Sequence, residues 1–130
     1  MDTRILVIEE SLDLCRLFEY ILRADGHVVT SFQDWKSAQT AVASFAPDVI
    51  IFDWSLSNMG GYNWAADLRQ RPGTSSIPIL FVCGDPPQHR TLEMVGELGI
   101  AVIEKPFDIF IFRNRLSALL GMRERALGTS

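Results

Sequence analysis

Positive charge is in short supply. Twelve Lys and Arg against sixteen Asp and Glu leave a formal net charge of −4 over 130 residues, which argues against electrostatic binding to nucleic acid or anionic lipid. The basic residues are scattered, and the pairs Arg69/Arg71 and Arg113/Arg115 read as solvated helix faces. Long apolar runs are missing too: none nears membrane-spanning length, and the amino terminus lacks the hydrophobic region of a signal peptide. The only two cysteines, Cys15 and Cys83, show no metal-ligand spacing, so a reduced, cytoplasmic setting is expected. Internal repeats and low-complexity tracts are absent. What remains is an ordinary globular composition, 48% hydrophobic and 22% charged, in a chain long enough for one domain with a proper core.

Five short apolar segments stand out: Arg4–Ile8, His27–Phe32, Asp48–Asp53, Pro78–Cys83 and Ile100–Ile103. The unbroken apolar runs among them are the mark of strands covered on both faces, as in a parallel sheet. The second is more polar and is expected at an edge. Helical spacing separates them. Ser11 is a candidate N-cap for a helix with Leu14, Leu17, Phe18 and Ile21 inward, Cys15 beside them as a small core residue, and Gly26 as a left-handed C-cap. Asp34 caps a helix that buries Trp35, Ala38, Val42 and Phe45. A third helix runs from about Tyr62 to Arg69, after a turn-rich loop at Ser55–Gly61. A fourth points Leu92, Val95 and Leu98 inward and ends at Gly99. Asp108 caps a fifth, with Ile109, Phe112, Leu116 and Leu119 inward and Gly121 closing it. The domain is therefore expected over residues 1–121, with 122–130 as a frayed end or linker stub. Strict alternation of strand and helix implies right-handed βα units and an all-parallel sheet, an α/β architecture of five strands and five helices.

In such a sheet every strand delivers its carboxyl end to one rim, where sites of this architecture lie. The residues there are Glu9 and Glu10, Asp53, Cys83 and Lys105. Asp53 ends an unbroken run of four apolar residues, Val49 to Phe52, and a carboxylate in that position needs compensation from a cation or hydrogen-bond donors. Three carboxylates against one ammonium leave two negative charges uncompensated. Like charges about 4 Å apart repel by roughly 4 kcal/mol at an effective dielectric near 20. A divalent cation that favours oxygen ligands, magnesium by default, would neutralise them. A metal, a strand-end aspartate and a lysine suit phosphoryl transfer, with Asp53 as nucleophile.

Over nearly the whole chain, to about Gly121, this layout resembles a response-regulator receiver domain of two-component signalling, similar to the single-domain chemotaxis receivers. The resemblance rests on the acidic pair Glu9-Glu10 after the first strand, on Asp53-Trp54-Ser55-Leu56-Ser57-Asn58-Met59-Gly60-Gly61, and on Lys105-Pro106-Phe107 after the fifth. It implies a flavodoxin-like, doubly wound fold with strand order 2-1-3-4-5. It further implies that Asp53 takes a phosphoryl group from a histidine kinase or phosphotransfer protein. Magnesium would be held by Glu10, Asp53 and the backbone carbonyl of Ser55, with Glu9 acting through water. Lys105 would pair with Asp53, through a Lys105-Pro106 bond that is often cis in the family. Position 83 would carry the switch group that follows the phosphoryl and shifts a face made of the fourth helix, fifth strand and fifth helix. That face would serve a downstream protein, a fused output domain or a homodimer. Such a protein is a phosphoacceptor that assists its own phosphoryl transfer and hydrolysis, with no separate enzymatic activity.

Several positions depart from the family's pattern. Glu10 stands where aspartate is usual, one methylene longer. Cys83 replaces serine or threonine, and a thiol is a weak hydrogen-bond donor. Val102 occupies a position where many receivers keep an aromatic rotamer switch, Ser57 replaces a proline, and Gly60 an aspartate. These departures support a second reading, an atypical receiver acting by protein contact without regulated phosphorylation. Carboxylates near Cys83 disfavour a redox-sensing thiolate. His89 reads as an exposed bystander near the site. Phe110 and Ile111 would mark a partner surface if they face outward. A flavodoxin-type cofactor site is excluded because Glu9-Glu10-Ser11-Leu12-Asp13 would repel a phosphate. A haloacid-dehalogenase site would want an aspartate where Ser55 stands.

Overall fold

A computed structural model of the chain describes residues 3–53, 58–83, 93 and 95–128. Five strands, β1 (Arg4–Ile8), β2 (Val28–Phe32), β3 (Val49–Asp53), β4 (Ile79–Cys83) and β5 (Ala101–Glu104), pair in parallel in the order β2-β1-β3-β4-β5. Between them lie α1 (Leu12–Ala24), α2 (Trp35–Phe45), α3 (Asn58–Gln70), α4 (described at residues 93 and 95–97) and finally α5 (Ile109–Gly128). The more polar β2 is an edge strand, as its composition predicts.

Alternation along the strands sorts the core into two layers. Leu6, Ile8, Ile50, Phe52, Ile79 and Phe81 face α2 and α3, where Ala38, Val42, Trp64, Ala65 and Leu68 meet them. Their sequence neighbours Ile5, Val7, Val49, Ile51, Leu80, Val82 and Ile103 face α1 and α5, against Phe18, Leu22, Phe112, Leu116 and Leu119. A period of two residues makes this partition, because successive side chains leave opposite faces of a strand.

The three sequence-predicted caps form. Ser11 Oγ accepts from Leu14 N (3.3 Å), Asp34 from Ser37 N (2.7 Å) and Asp108 from Ile111 N (2.8 Å). Gly26 and Gly99 take the left-handed backbone (φ +90° and +67°) that ends α1 and α4.

Three expectations are corrected. Leu17 is exposed, not inward. Phe18 sits at the centre of the buried face, stacked on Phe107 and tilted against Phe112. At about 100° per residue Leu17 lies well off that centre, whereas Cys15 and Leu22 fall near it and are buried. The turn-rich loop is shorter than expected, since α3 begins at Asn58 and takes in Gly60 and Gly61. Each glycine costs about 1 kcal/mol of helix propensity, which the burial of Trp64, Ala65 and Leu68 outweighs. Helix α5 does not close at Gly121 but continues to Gly128, through a sequence of good helix formers.

Candidate functional site

Strand register assembles the rim. Ile8 pairs with Phe52 and Asp53 with Val82, so the residue after β1 lies beside the last residue of β3. Glu9 N donates to Phe32 O at 2.9 Å, which continues the ladder by one step. Cys83 pairs with Glu104, and Lys105 N donates to Cys83 O at 2.6 Å. Counting in twos from the α1/α5 layer then reaches Glu9 (from Ile5 and Val7), Asp53 (from Val49 and Ile51) and Lys105 (from Ile103). These three side chains meet.

Asp53 is 1% exposed and Glu9 3%, the only charged side chains buried among the described residues. Lys105 Nζ donates to Asp53 Oδ2 at 2.6 Å and stands 3.7 Å from Glu9 Oε2. The Lys105-Pro106 peptide bond is cis. Glu9 Oε1 accepts from Ser11 N at 3.2 Å, whereas its buried Oε2 has no hydrogen-bond partner. Burial, then the neighbouring Asp53 carboxylate, push the Glu9 carboxyl up to about 7, against a partial offset from Ser11 N–H and Lys105. Burial alone would lower the Lys105 ammonium. The hydrogen bond to Asp53 and the charges of Asp53 and Glu9 reverse this and hold it above the usual lysine value.

Glu10 is exposed, and its backbone carbonyl accepts from Gln33 Nε2 at 3.0 Å. Cys83 is buried, and burial followed by the charges of Asp53 and Glu104 raises its thiol to about 11, which keeps it protonated. Cys15 is also a buried free thiol, donating to Glu9 O at 3.1 Å, with its pKa raised mainly by burial. Ser55, Trp54, Ser57 and His89 lie outside the described residues. Phe110 (73% exposed) and Ile111 (45%) do face outward on α5.

Among the described residues no group of three His, Cys, Asp or Glu side chains is placed to hold a metal ion. Glu9 and Asp53 form a pair instead. Magnesium commonly takes one or two carboxylates and completes its shell with water, and a buried carboxylate oxygen without a donor is a place for a cation. The residues present fit a partly hydrated divalent ion.

The raised Glu9 carboxyl sets a pH dependence of stability. Between the ordinary value of 4.5 and about 7, the folded chain holds a proton at Glu9 that the unfolded chain releases. That stability is fully present below 4.5 and is lost as pH rises through 7. Chemical denaturation in metal-free buffer should show a loss on the order of 3 kcal/mol between pH 4.5 and pH 8 attributable to this residue. Glu9→Gln should remove that part of the slope. An unchanged slope in the variant would disprove the assignment.

A doubly wound parallel sheet with an aspartate-lysine pair and a buried acid at its carboxyl rim defines a receiver-type α/β domain. The response regulator receiver domain model matches residues 5–117, and the chain belongs to that family. It is 27% identical over 117 residues to the phosphate regulon transcriptional regulatory protein PhoB of Rhizobium meliloti, covering 90% of this chain and 52% of that protein. Thus it spans about half the length of that relative. To Protein Rrf1 of Nitratidesulfovibrio vulgaris it is 26% identical over 129 residues, covering 99% of this chain and 86% of that one. The structure of chemotaxis response regulator CheY4 of Vibrio cholerae superposes with a TM-score of 0.81 over 92% of this chain and 99% of that one, at 19% identity, a likeness of fold. No helix among the described residues is long and apolar enough to cross a membrane.

Proposed function

We propose that this domain is a phosphoacceptor switch of a two-component system, with Asp53 taking a phosphoryl group from the phosphohistidine of a kinase or phosphotransfer protein. The observation that carries this reading is the Lys105 ammonium 2.6 Å from a carboxylate that is 1% exposed at the sheet's carboxyl rim. An Asp53 oxygen attacks phosphorus, the P–N bond to the donor imidazole breaks, and the imidazole leaves with the electron pair and takes up a proton. Bound magnesium, held by Asp53, the acidic pair Glu9/Glu10 and the Ser55 carbonyl, would neutralise charge on the phosphoryl oxygens. Lys105, already paired with Asp53, is placed to move its donor to a phosphoryl oxygen as the carboxylate loses its charge. Neutral Cys83 offers that oxygen at most a weak S–H donor.

The outward Phe110 and Ile111, with Arg115 Nη1 donating to Val102 O (3.0 Å), give β5 and α5 a surface for a downstream protein, a fused output domain or a second copy. A small acyl-phosphate donor with Mg2+ should add the mass of one phosphoryl group to the native chain and none to Asp53→Asn, read by intact mass. No gain in the native chain would reject the switch. The weak thiol donor at Cys83 favours one second reading, a contact module without regulated phosphorylation. Under beryllofluoride and Mg2+ that module would show no amide shifts along α5, whereas the switch would.

A further inference from the structure

We propose that Arg23 and Arg115 close the two edges of the sheet against strand addition by a second copy of the chain, and that the β5 edge, held by Arg115, is the one that opens first. Successive residues of a strand turn their N–H and C=O groups to opposite sides, so an edge strand offers every second residue to solvent. In β2, Val28 N donates to Thr3 O and Phe32 O accepts from Glu9 N. Even positions there face β1, and Val29 and Ser31 face out. In β5, Lys105 N donates to Cys83 O, so odd positions face β4, and Val102 and Glu104 face out. Each edge has only these two outward residues for a further strand to read.

One outward carbonyl is taken on each side. Arg23 Nη2, from α1, donates to Val29 O at 3.3 Å, and Arg115 Nη1, from α5, donates to Val102 O at 3.0 Å. An incoming strand must displace a guanidinium, and a cation on an edge strand is a common obstacle to pairing. The two closures differ in strength. Glu19 stands 3.7 Å from Arg23 and also accepts from Ser31 Oγ at 2.5 Å, so α1 grips both outward residues of β2. Arg115 makes no ion pair among the described residues, and Glu104 beside it is exposed. A second copy fits this edge. Around a two-fold axis at Ile103, an antiparallel β5–β5 pair sets Val102 opposite Glu104 of the other copy, and every outward N–H and C=O of both strands finds a partner.

The test is self-association of the unphosphorylated chain in metal-free buffer, by sedimentation equilibrium. Arg115→Met keeps most of the stem and removes donor and charge. Its association constant should exceed the native one at least about tenfold, because each pair of edges loses two capping hydrogen bonds. Hydrogen exchange locates the contact: the Val102 and Glu104 amides, which face away from β4, should slow as concentration rises. Arg115→Lys, which keeps the charge, should associate less than Arg115→Met, and so should Arg23→Met, in which Glu19 still holds Ser31. Arg115→Ala repeats the reading with another side chain, and near-ultraviolet circular dichroism of dilute samples confirms that each variant is folded. No rise in association in either Arg115→Met or Arg115→Ala overturns the proposal. So does a rise that leaves the Val102 and Glu104 amides unprotected, or a larger rise in Arg23→Met.

Discussion

Lys105→Met should cost about 3 kcal/mol of stability at pH 8 and less at pH 5. The side chain keeps its length and loses its charge. At pH 8 that leaves Asp53 and Glu9, 1% and 3% exposed, as two carboxylates facing one another with no cation between them. Removing one partner of a buried ion pair costs about 3–5 kcal/mol, chiefly because the remaining charge is stranded in low dielectric. The lower figure applies because the Lys105 side chain is itself 27% exposed. At pH 5 Glu9, with its carboxyl raised to about 7, already carries a proton, so a single negative charge is left and the repulsion disappears. Added Mn2+ should recover much of the loss at pH 8 by taking the place of the ammonium. Urea titrations at the two pH values check this. An equal loss at both would mean that the charge of Glu9 contributes nothing to the cost.

Phe52→Ala should destabilise the domain by about 3–5 kcal/mol, the usual cost of emptying a buried aromatic site. Phe52 has no exposed surface. Its ring meets Phe81 edge-on with centroids 5.4 Å apart, and Trp64 at 5.4 Å and 42°. Against a typical total of about 5–15 kcal/mol, such a loss takes a large share of the stability. Alternation puts the cavity on the α2/α3 side of β3 while Asp53 faces the other way. The Phe52 and Lys105 substitutions should therefore add to within about 0.5 kcal/mol when combined. Denaturation of the single and double variants decides it, and a large coupling would show that the two faces of β3 do not respond independently.

Much of the molecule follows from local pattern. Unbroken apolar runs marked β1, β3 and β4, and their order along the chain, alternating with helices, required a parallel sheet whose carboxyl ends share a rim. Asp53 and Lys105 could be placed on one rim from that requirement, although they lie 52 positions apart, and their pairing was what the family resemblance implied. Three caps were legible because Ser11, Asp34 and Asp108 each precede an apolar helical stripe. The choice between Glu9 and Glu10 needed register. A sequence shows two acids after a strand but not how far the ladder runs, and the Glu9 N to Phe32 O bond is what extends it. Counting in twos from Ile5 would have indicated Glu9. Leu17 misled for a different reason: a leucine one step from Phe18 fits a helical stripe by spacing, and only the aromatic contacts with Phe107 and Phe112 fix which residue leads. Gly60, Gly61 and Gly121 look like stops in isolation, yet the flanking residues carry the helix through each of them.

One carboxylate spans two tasks. Through Oε1 it holds the amide of Ser11, the residue whose hydroxyl opens α1, and through Oε2 it looks into the acidic rim. Whatever tugs on one oxygen must also strain or relax the grip of the other. The amide of Ser11 is thus a built-in reporter, and its exchange with solvent should register the charge of the rim before any distant surface moves.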